Sequence, residues 1–163
     1  MERRHFAALG LSAAAVGAFA QLGIAQQRNS AEGKTSEQNS QAASYRECAK
    51  ACSDCQRECD SCATHCATLM AQGQNRQHYT TLRMCLDCAD VCAATAQIVS
   101  RSGPFSGDVC EACADVCKRC GEECKQHTGD ALMQDCAKAC EQCEKACREM
   151  VRTAQRDNDK SKR

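Results

Sequence analysis

Residues 48–66 read CAKACSDCQRECDSCATHC, a stretch in which six cysteines recur at intervals of three or four residues. The same spacing returns in three later segments of the chain. An α-helix turns by about 100° per residue, so each set of cysteines stays within an arc of roughly 80° on its helix. The spacing therefore predicts helices that each carry one continuous face of thiols, which a bundle would bury. The full set comprises Cys48, Cys52, Cys55, Cys59, Cys62 and Cys66 in the first segment, Cys85, Cys88 and Cys92 in the second, Cys110, Cys113, Cys117, Cys120 and Cys124 in the third, and Cys136, Cys140, Cys143 and Cys147 in the fourth.

Three clusters of helix-breaking residues separate these segments. They are Gly73-Gln74-Asn75, Ser102-Gly103-Pro104 and His127-Thr128-Gly129-Asp130. Between them the sequence favours helices near residues 43–72, 76–101, 106–127 and 130–156, all free of internal proline. Short connections make neighbouring helices antiparallel, so we predict an all-α, up-down-up-down four-helix bundle. Gly121 is the one glycine inside these helices for which the sequence offers no role.

The composition indicates that cysteine itself lines the core. The chain has 18 cysteines among 163 residues, and large apolar residues are scarce beyond residue 40. They are too few for a conventional core, while free cysteine is among the most buried residue types. Lysine plus arginine and aspartate plus glutamate both number 21, which gives no electrostatic reason to expect nucleic acid as a partner.

The two ends of the chain are predicted to lie outside the bundle. Arg3 and Arg4 precede a mildly apolar run with small-residue cleavage candidates, which is typical of a twin-arginine export signal over residues 1–25. The run is shorter than the roughly 20 apolar residues that a spanning helix needs, so no membrane association is expected after cleavage. Residues 26–42 are predicted to be a flexible linker, residues 43–156 the bundle and residues 157–163 a basic tail. The expected location is periplasmic or otherwise exported.

Helical spacing also bears on metal chemistry. Residues three or four apart have Cβ atoms about 5–6 Å apart, so their sulfurs can approach to roughly 4.5 Å, about twice a metal–sulfur bond. That span suits a near-linear, two-coordinate ion such as copper(I), which thiolates also favour because both are soft. Zinc needs four tetrahedral ligands, so sulfurs from several helices would have to converge at each site.

Charge favours the same ion. A buried thiolate without a counter-ion is costly, whereas one monovalent cation per thiolate leaves the core neutral. Four thiolates on one zinc keep two negative charges. We therefore predict several copper(I) ions per chain, at about one per cysteine.

Other interpretations remain open at this point. The protein could sequester zinc or soft metals in general, or it could be a structural helical protein stapled by disulfides between helices. A thiol oxidoreductase using one C-x-x-C pair is the third alternative, although no βαβ pattern surrounds these pairs. Nothing in the sequence resembles a nucleophile paired with a base, so we predict that the protein is not an enzyme.

Histidines and methionines gather at one predicted rim of the bundle. Neutral imidazole and thioether are copper(I) ligands that exchange more readily than bridging thiolates, so this rim is a candidate gate for ions. Surface histidines and gap-filling methionines would give the same pattern. The candidate ligands are His65, Met70, His78, His127 and Met133, with Met84 nearby.

The chain resembles the copper storage protein family over about residues 44–155. The resemblance rests on three motifs: Cys48-x3-Cys52-x2-Cys55-x3-Cys59-x2-Cys62-x3-Cys66, Ala114-Asp115-Val116-Cys117-x2-Cys120-x3-Cys124 and Cys136-x3-Cys140-x2-Cys143-x3-Cys147. It implies that all eighteen cysteines are copper ligands, that His65-Cys66 belongs to a motif near the open end of the bundle, and that the protein is a homotetramer. The implied role is to buffer copper or to reserve it for copper enzymes. Copper chaperones or copper enzymes are the candidate partners.

Overall fold

The computed structural model describes the backbone of residues 18–73 and 76–161 and the side chains of residues 38–73, 76 and 78–156. Within that part of the chain every regular element is an α-helix, and Ser40–Arg163 form one compact unit. The all-α prediction is therefore confirmed. The four helices are α1 (Ala18–Ala71), α2 (Gln77–Ser100), α3 (Ser106–Lys125) and α4 (Ala131–Ser161).

The helix boundaries agree with the predicted ones except at the outer ends of α1 and α4. The first helix begins at Ala18, not near residue 43, so the backbone of the predicted linker, residues 26–42, is helical. This stretch contains no proline, and its one glycine, Gly33, does not interrupt the helix. Likewise, α4 continues past residue 156 to Ser161, into the predicted tail. The division of the chain into functional domains stays a prediction, and most of the export signal lies outside the described residues.

The predicted breaks end α1 and α2 by recognisable capping geometry. Gly73 has a φ of 82°, a left-handed conformation that glycine adopts without steric cost, and follows the last turn of α1. After α2, the N–H of Gly103 donates to Ile98 O at 3.2 Å and the N–H of Ser102 donates to Val99 O at 2.9 Å. This is the Schellman pattern, with Ser102 at a φ of 49° in the position where glycine is usual. Pro104 follows at once and prevents the helix from continuing.

Contacts between sulfur atoms define the helix directions. Between α1 and α4, Cys48 Sγ lies 3.9 Å from Cys147 Sγ and Cys59 Sγ lies 3.7 Å from Cys136 Sγ, so residue numbers rise in one helix as they fall in the other. The antiparallel order repeats between the other neighbours, which confirms the up-down-up-down prediction. The corresponding pairs are Cys85 with Cys124 and Cys92 with Cys113 between α2 and α3, and Cys124 with Cys136 and Cys113 with Cys143 between α3 and α4.

The core of the bundle is made of thiols. All eighteen cysteines are buried, and Cys48, the most exposed of them, exposes 2% of its surface. Buried alanines, such as Ala63 and Ala114, flank the cysteines. Because alanine is small, the helix backbones can approach closely enough for thiols from different helices to touch.

The two ends of the thiol core differ in chemistry. Val99, Met150 and Thr95 are buried next to the loop between α2 and α3. At the other end, which we call the rim, Met133, Thr81 and His78 are buried. Ser106 and Thr153 are buried next to that loop as well, so that end combines apolar, thioether and hydroxyl groups, whereas the rim also carries imidazole.

None of the helices that the structure describes combines the length and the hydropathy that a membrane-spanning segment requires.

Gly121 has a packing role that the sequence did not reveal. It is buried on α3, and a Cβ at this position would lie 3.1 Å from Cys140 Cβ and 3.4 Å from Ala137 O on α4. Ordinary contacts between carbon atoms are nearer 3.5–4.0 Å, so any side chain here would push α4 away. The glycine allows α3 and α4 to bring their thiols together.

We predict that Gly121→Leu destabilises the metal-free, reduced bundle by about 1–3 kcal/mol, the usual cost of inserting bulk into a packed core. The matched control is Gly129→Leu, because Gly129 has nothing within 4 Å of its Cβ position and no left-handed φ. Urea unfolding followed by circular dichroism measures both. Equal stability of the two variants would contradict the packing role of Gly121.

Candidate metal centre

The thiols form a continuous column because each helix contributes one cysteine at almost every turn. Contacts between sulfurs of different helices range from 3.5 Å, between Cys92 and Cys117, to 3.9 Å, as between Cys55 and Cys117. Within one helix, Cys55 and Cys59 are also 3.9 Å apart. Contacts across helices are thus as short as those along a helix.

This geometry adds sulfur contacts between helices that helical spacing alone does not predict. The sequence predicts pairs of thiols about 4.5 Å apart on one helix. Convergence of sulfurs from several helices was expected only for a zinc site. The structure brings sulfurs together in groups of four that come from three or four helices, with all four atoms within 4.8 Å of one another. The helical wheel predicts which residues face inward, but the relative heights of the helices decide which sulfurs meet.

At least five such quartets occur among the described residues. Neighbouring quartets share sulfurs, so they form one extended donor set and not five separate sites. They are Cys52, Cys113, Cys143 and Cys147; Cys55, Cys92, Cys117 and Cys143; Cys55, Cys59, Cys88 and Cys140; Cys59, Cys120, Cys136 and Cys140; and Cys62, Cys85, Cys124 and Cys136.

Burial and contacts between neighbouring thiols shift the pKa values of the cysteines. Burial raises the pKa of the Cys66 thiol to about 11. By contrast, the pKa of Cys124 is lowered to about 5, because hydrogen bonds from neighbouring thiols, above all Cys120, stabilise its thiolate. Neighbouring sulfurs therefore share protons, and a metal cation entering the column takes the place of those protons.

Among the described side chains, no lysine or arginine is buried. The buried polar residues are His78, Thr81, Thr95, Ser106 and Thr153, none of which carries a permanent positive charge. A column of bare thiolates would therefore lack a counter-ion within the protein, which is costly in a medium of low polarity. Cations that bind to the sulfurs are the natural source of neutralisation.

Two of the predicted rim histidines lie side by side. The rings of His78 and His127 stack with centroids 5.2 Å apart. His127 Nε2 lies 3.0 Å from Thr81 Oγ1, which also donates to Glu123 Oε1 at 3.0 Å. His78 is 8% exposed, and its Nδ1 has no hydrogen-bond partner in the part of the chain that the structure describes.

The third rim histidine is held elsewhere. His65 Nε2 lies 2.6 Å from Asp130 Oδ2, and the other carboxylate oxygen of Asp130 accepts the N–H of Met133 at 3.1 Å, capping α4. Partial burial by itself raises the pKa of Asp130, but the hydrogen bonds from His65 and Met133 hold it below its usual value. The pair therefore joins α1 to the start of α4. The sequence contained one signal for it, because Asp130 occupies a favourable N-cap position after Thr128-Gly129.

The methionines at the rim differ in how far they are buried. Met133 is completely buried, whereas Met70 and Met84 are partly exposed. Thr81 and Glu123, which orient His127, were missed at the sequence level. Their spacing held a partial clue, since Thr81 follows His78 by three residues on one face of α2, whereas His127 lies beyond the end of α3.

Comparisons with known proteins agree with this geometry. The family model described as copper storage protein matches residues 40–152. A comparison with curated protein sequences returned no match.

Solved structures of storage proteins resemble the chain. The Cu(I)-bound copper storage protein BsCsp3 is 37% identical with a TM-score of 0.57, and the alignment covers 66% of this chain and 98% of that one. The apo form of copper storage protein 3 from Bacillus subtilis is also 37% identical, with a TM-score of 0.54 and coverage of 64% and 96%.

A cytosolic copper storage protein from Streptomyces lividans, solved with five coppers, is 34% identical with a TM-score of 0.60. That alignment covers 69% of this chain and 96% of the other. The family match spans the whole thiol column, and the relatives are covered over nearly their full length. The chain therefore belongs to the copper storage protein family.

Proposed function

We propose that this protein stores copper(I) inside its helical bundle, with all eighteen cysteines as ligands. One observation carries the proposal: every cysteine is buried and free, and sulfurs from all four helices lie 3.5–3.9 Å from one another along the core. Such a column can hold many soft cations out of contact with solvent. Storage would either buffer excess copper or reserve it for copper enzymes.

Copper(I) suits the column because it is both soft and monovalent. Each ion that replaces a thiol proton leaves the charge of the core unchanged, so filling one position does not repel the next ion. The sulfurs offer several coordination geometries, since an ion can bridge two, three or four of them within a quartet. The proposed role is storage and not catalysis.

We expect the reduced, metal-free protein to bind copper(I) at roughly one ion per cysteine, because charge balance sets that ratio. Anaerobic titration in competition with a chromophoric copper(I) chelator gives both stoichiometry and affinity. As a control, the same protein oxidised before titration should bind far less. Saturation at one or two ions per chain would refute storage by the whole column.

The rim is the proposed route for copper. Among the described residues the histidines lie at the rim, and His78 there presents a buried nitrogen without a hydrogen-bond partner in the same part of the chain. His127 lies against it, and Met133 is buried nearby. These groups would take an ion from solvent and pass it to the first sulfurs of the column.

Met70 and His65 complete the proposed set of rim ligands. Met70 is partly exposed at the end of α1, where it can meet an arriving ion. His65 must first leave Asp130 before its Nε2 can bind a metal.

We predict that His78→Leu slows copper uptake several-fold but leaves the final capacity unchanged, because it removes the nitrogens and keeps the bulk. Stopped-flow mixing with a copper(I)–chelator complex measures the rate. The control is Thr95→Val, a polar-to-apolar change at another buried position, near the opposite end of the column. Uptake slowed equally in both variants, or in neither, would argue against entry at the rim.

Export by the twin-arginine route is proposed from Arg3 and Arg4 and the apolar run after them. This route carries folded proteins, so the thiols would already be buried on arrival in an oxidising compartment. A homotetramer, and copper chaperones or copper enzymes as partners, are proposed from the family resemblance.

Replacing both Arg3 and Arg4 with lysine should retain the protein in the cytoplasm, because the export signal needs the arginine pair. Cell fractionation followed by immunoblotting locates the protein. The matched control is Arg28→Lys, the same change of side chain at a position beyond the predicted signal. Normal export of the Arg3/Arg4 variant would contradict the proposal.

A further inference from the structure

We propose that the metal-free protein also binds divalent zinc, at three four-thiolate sites inside the column, and that copper(I) displaces it. The inference concerns a second class of cation and a different geometry, and it does not depend on copper storage being correct. It rests on how the four helices place their sulfurs.

The first observation is the size of the quartets. A tetrahedral zinc site has Zn–S bonds of about 2.3 Å, which places its sulfurs about 3.8 Å apart. Cys124 Sγ lies 3.8 Å from both Cys85 Sγ and Cys136 Sγ. Cys140 Sγ lies 3.7 Å from Cys55 Sγ and 3.8 Å from Cys59 Sγ. These sulfur–sulfur distances are those of a tetrahedral zinc–thiolate site.

The second observation is that three quartets share no sulfur and can therefore be filled together. We call them the rim, middle and deep quartets, in order of distance from the rim. The rim quartet is Cys62, Cys85, Cys124 and Cys136; the middle quartet is Cys55, Cys59, Cys88 and Cys140; the deep quartet is Cys52, Cys113, Cys143 and Cys147.

The rim quartet takes one thiol from each of the four helices. A zinc ion there would tie all four helices together at the open end. Because tetrathiolate zinc sites contribute directly to folding stability, occupancy would also stabilise a bundle that has few large apolar side chains.

The exchange of metals balances in charge and needs no redox step. Zinc binding to four thiols releases four protons and leaves a site with two negative charges. Four copper(I) ions then convert that site to four neutral copper–thiolate units and release one zinc ion. Since no lysine or arginine is buried among the described residues, the residual charge of the zinc form stays uncompensated, which favours replacement by copper.

The test is an anaerobic zinc titration of the reduced, metal-free protein against a chromophoric zinc chelator. We expect saturation at about three ions per chain, since three disjoint quartets are available. Cobalt(II), used as a spectroscopic substitute, should give the intense visible bands of a tetrahedral thiolate site. Adding copper(I) should then release the zinc completely. Octahedral cobalt spectra, or no tight zinc binding, would overturn the proposal while leaving the copper titration unaffected.

A pair of cysteine variants makes the test site-specific. Cys85→Ser removes one ligand of the rim quartet and should lower the zinc stoichiometry from three to two. Cys66→Ser removes a buried thiol at the same end but leaves all three quartets complete, so it should still bind three. An equal effect of the two substitutions would show that zinc binds to thiols without regard to the quartets.

Discussion

Burial of sulfur without a protein counter-ion is the constraint on which the rest of this structure depends. The thiols occupy the positions where a bundle normally places leucine, and no buried lysine or arginine lies among the described residues to balance their charge. The protein is therefore neutral inside only as long as protons or metal ions sit on the sulfurs. Cation binding follows from the fold itself and not from a separate pocket added to it.

The spacing of the cysteines made most of the fold predictable. Gaps of three and four residues fix both the helical period and the inward face, and the breaks at Gly73 and at Ser102-Gly103 end α1 and α2 where the sequence indicates. The start of α1 was not predictable in the same way, because residues 26–42 contain no repeating inward face, and their one glycine, Gly33, does not by itself end a helix. A polar stretch of that kind is compatible with a helix and with an irregular linker.

The site was predictable as a set of residues but not as a set of contacts. That Cys62 faces inward follows from the helical wheel. That it meets Cys85, Cys124 and Cys136 depends on how far each helix is shifted along its neighbours, which the loops and the close approach at Gly121 determine. The pairing of His65 with Asp130 has the same origin. The shift of one helix along another leaves almost no trace in the spacing of residues within one sequence.

Cys55, Cys59, Cys136, Cys140 and Cys143 each belong to two of the overlapping quartets. A sulfur with two sets of neighbours can form a bond to an ion on one side before it releases that ion from the other. Bound ions can consequently migrate along the bundle by successive ligand exchange, without ever being hydrated. A single point of entry is then enough for ions to fill and leave the full length of the interior. The far end has no need of an opening.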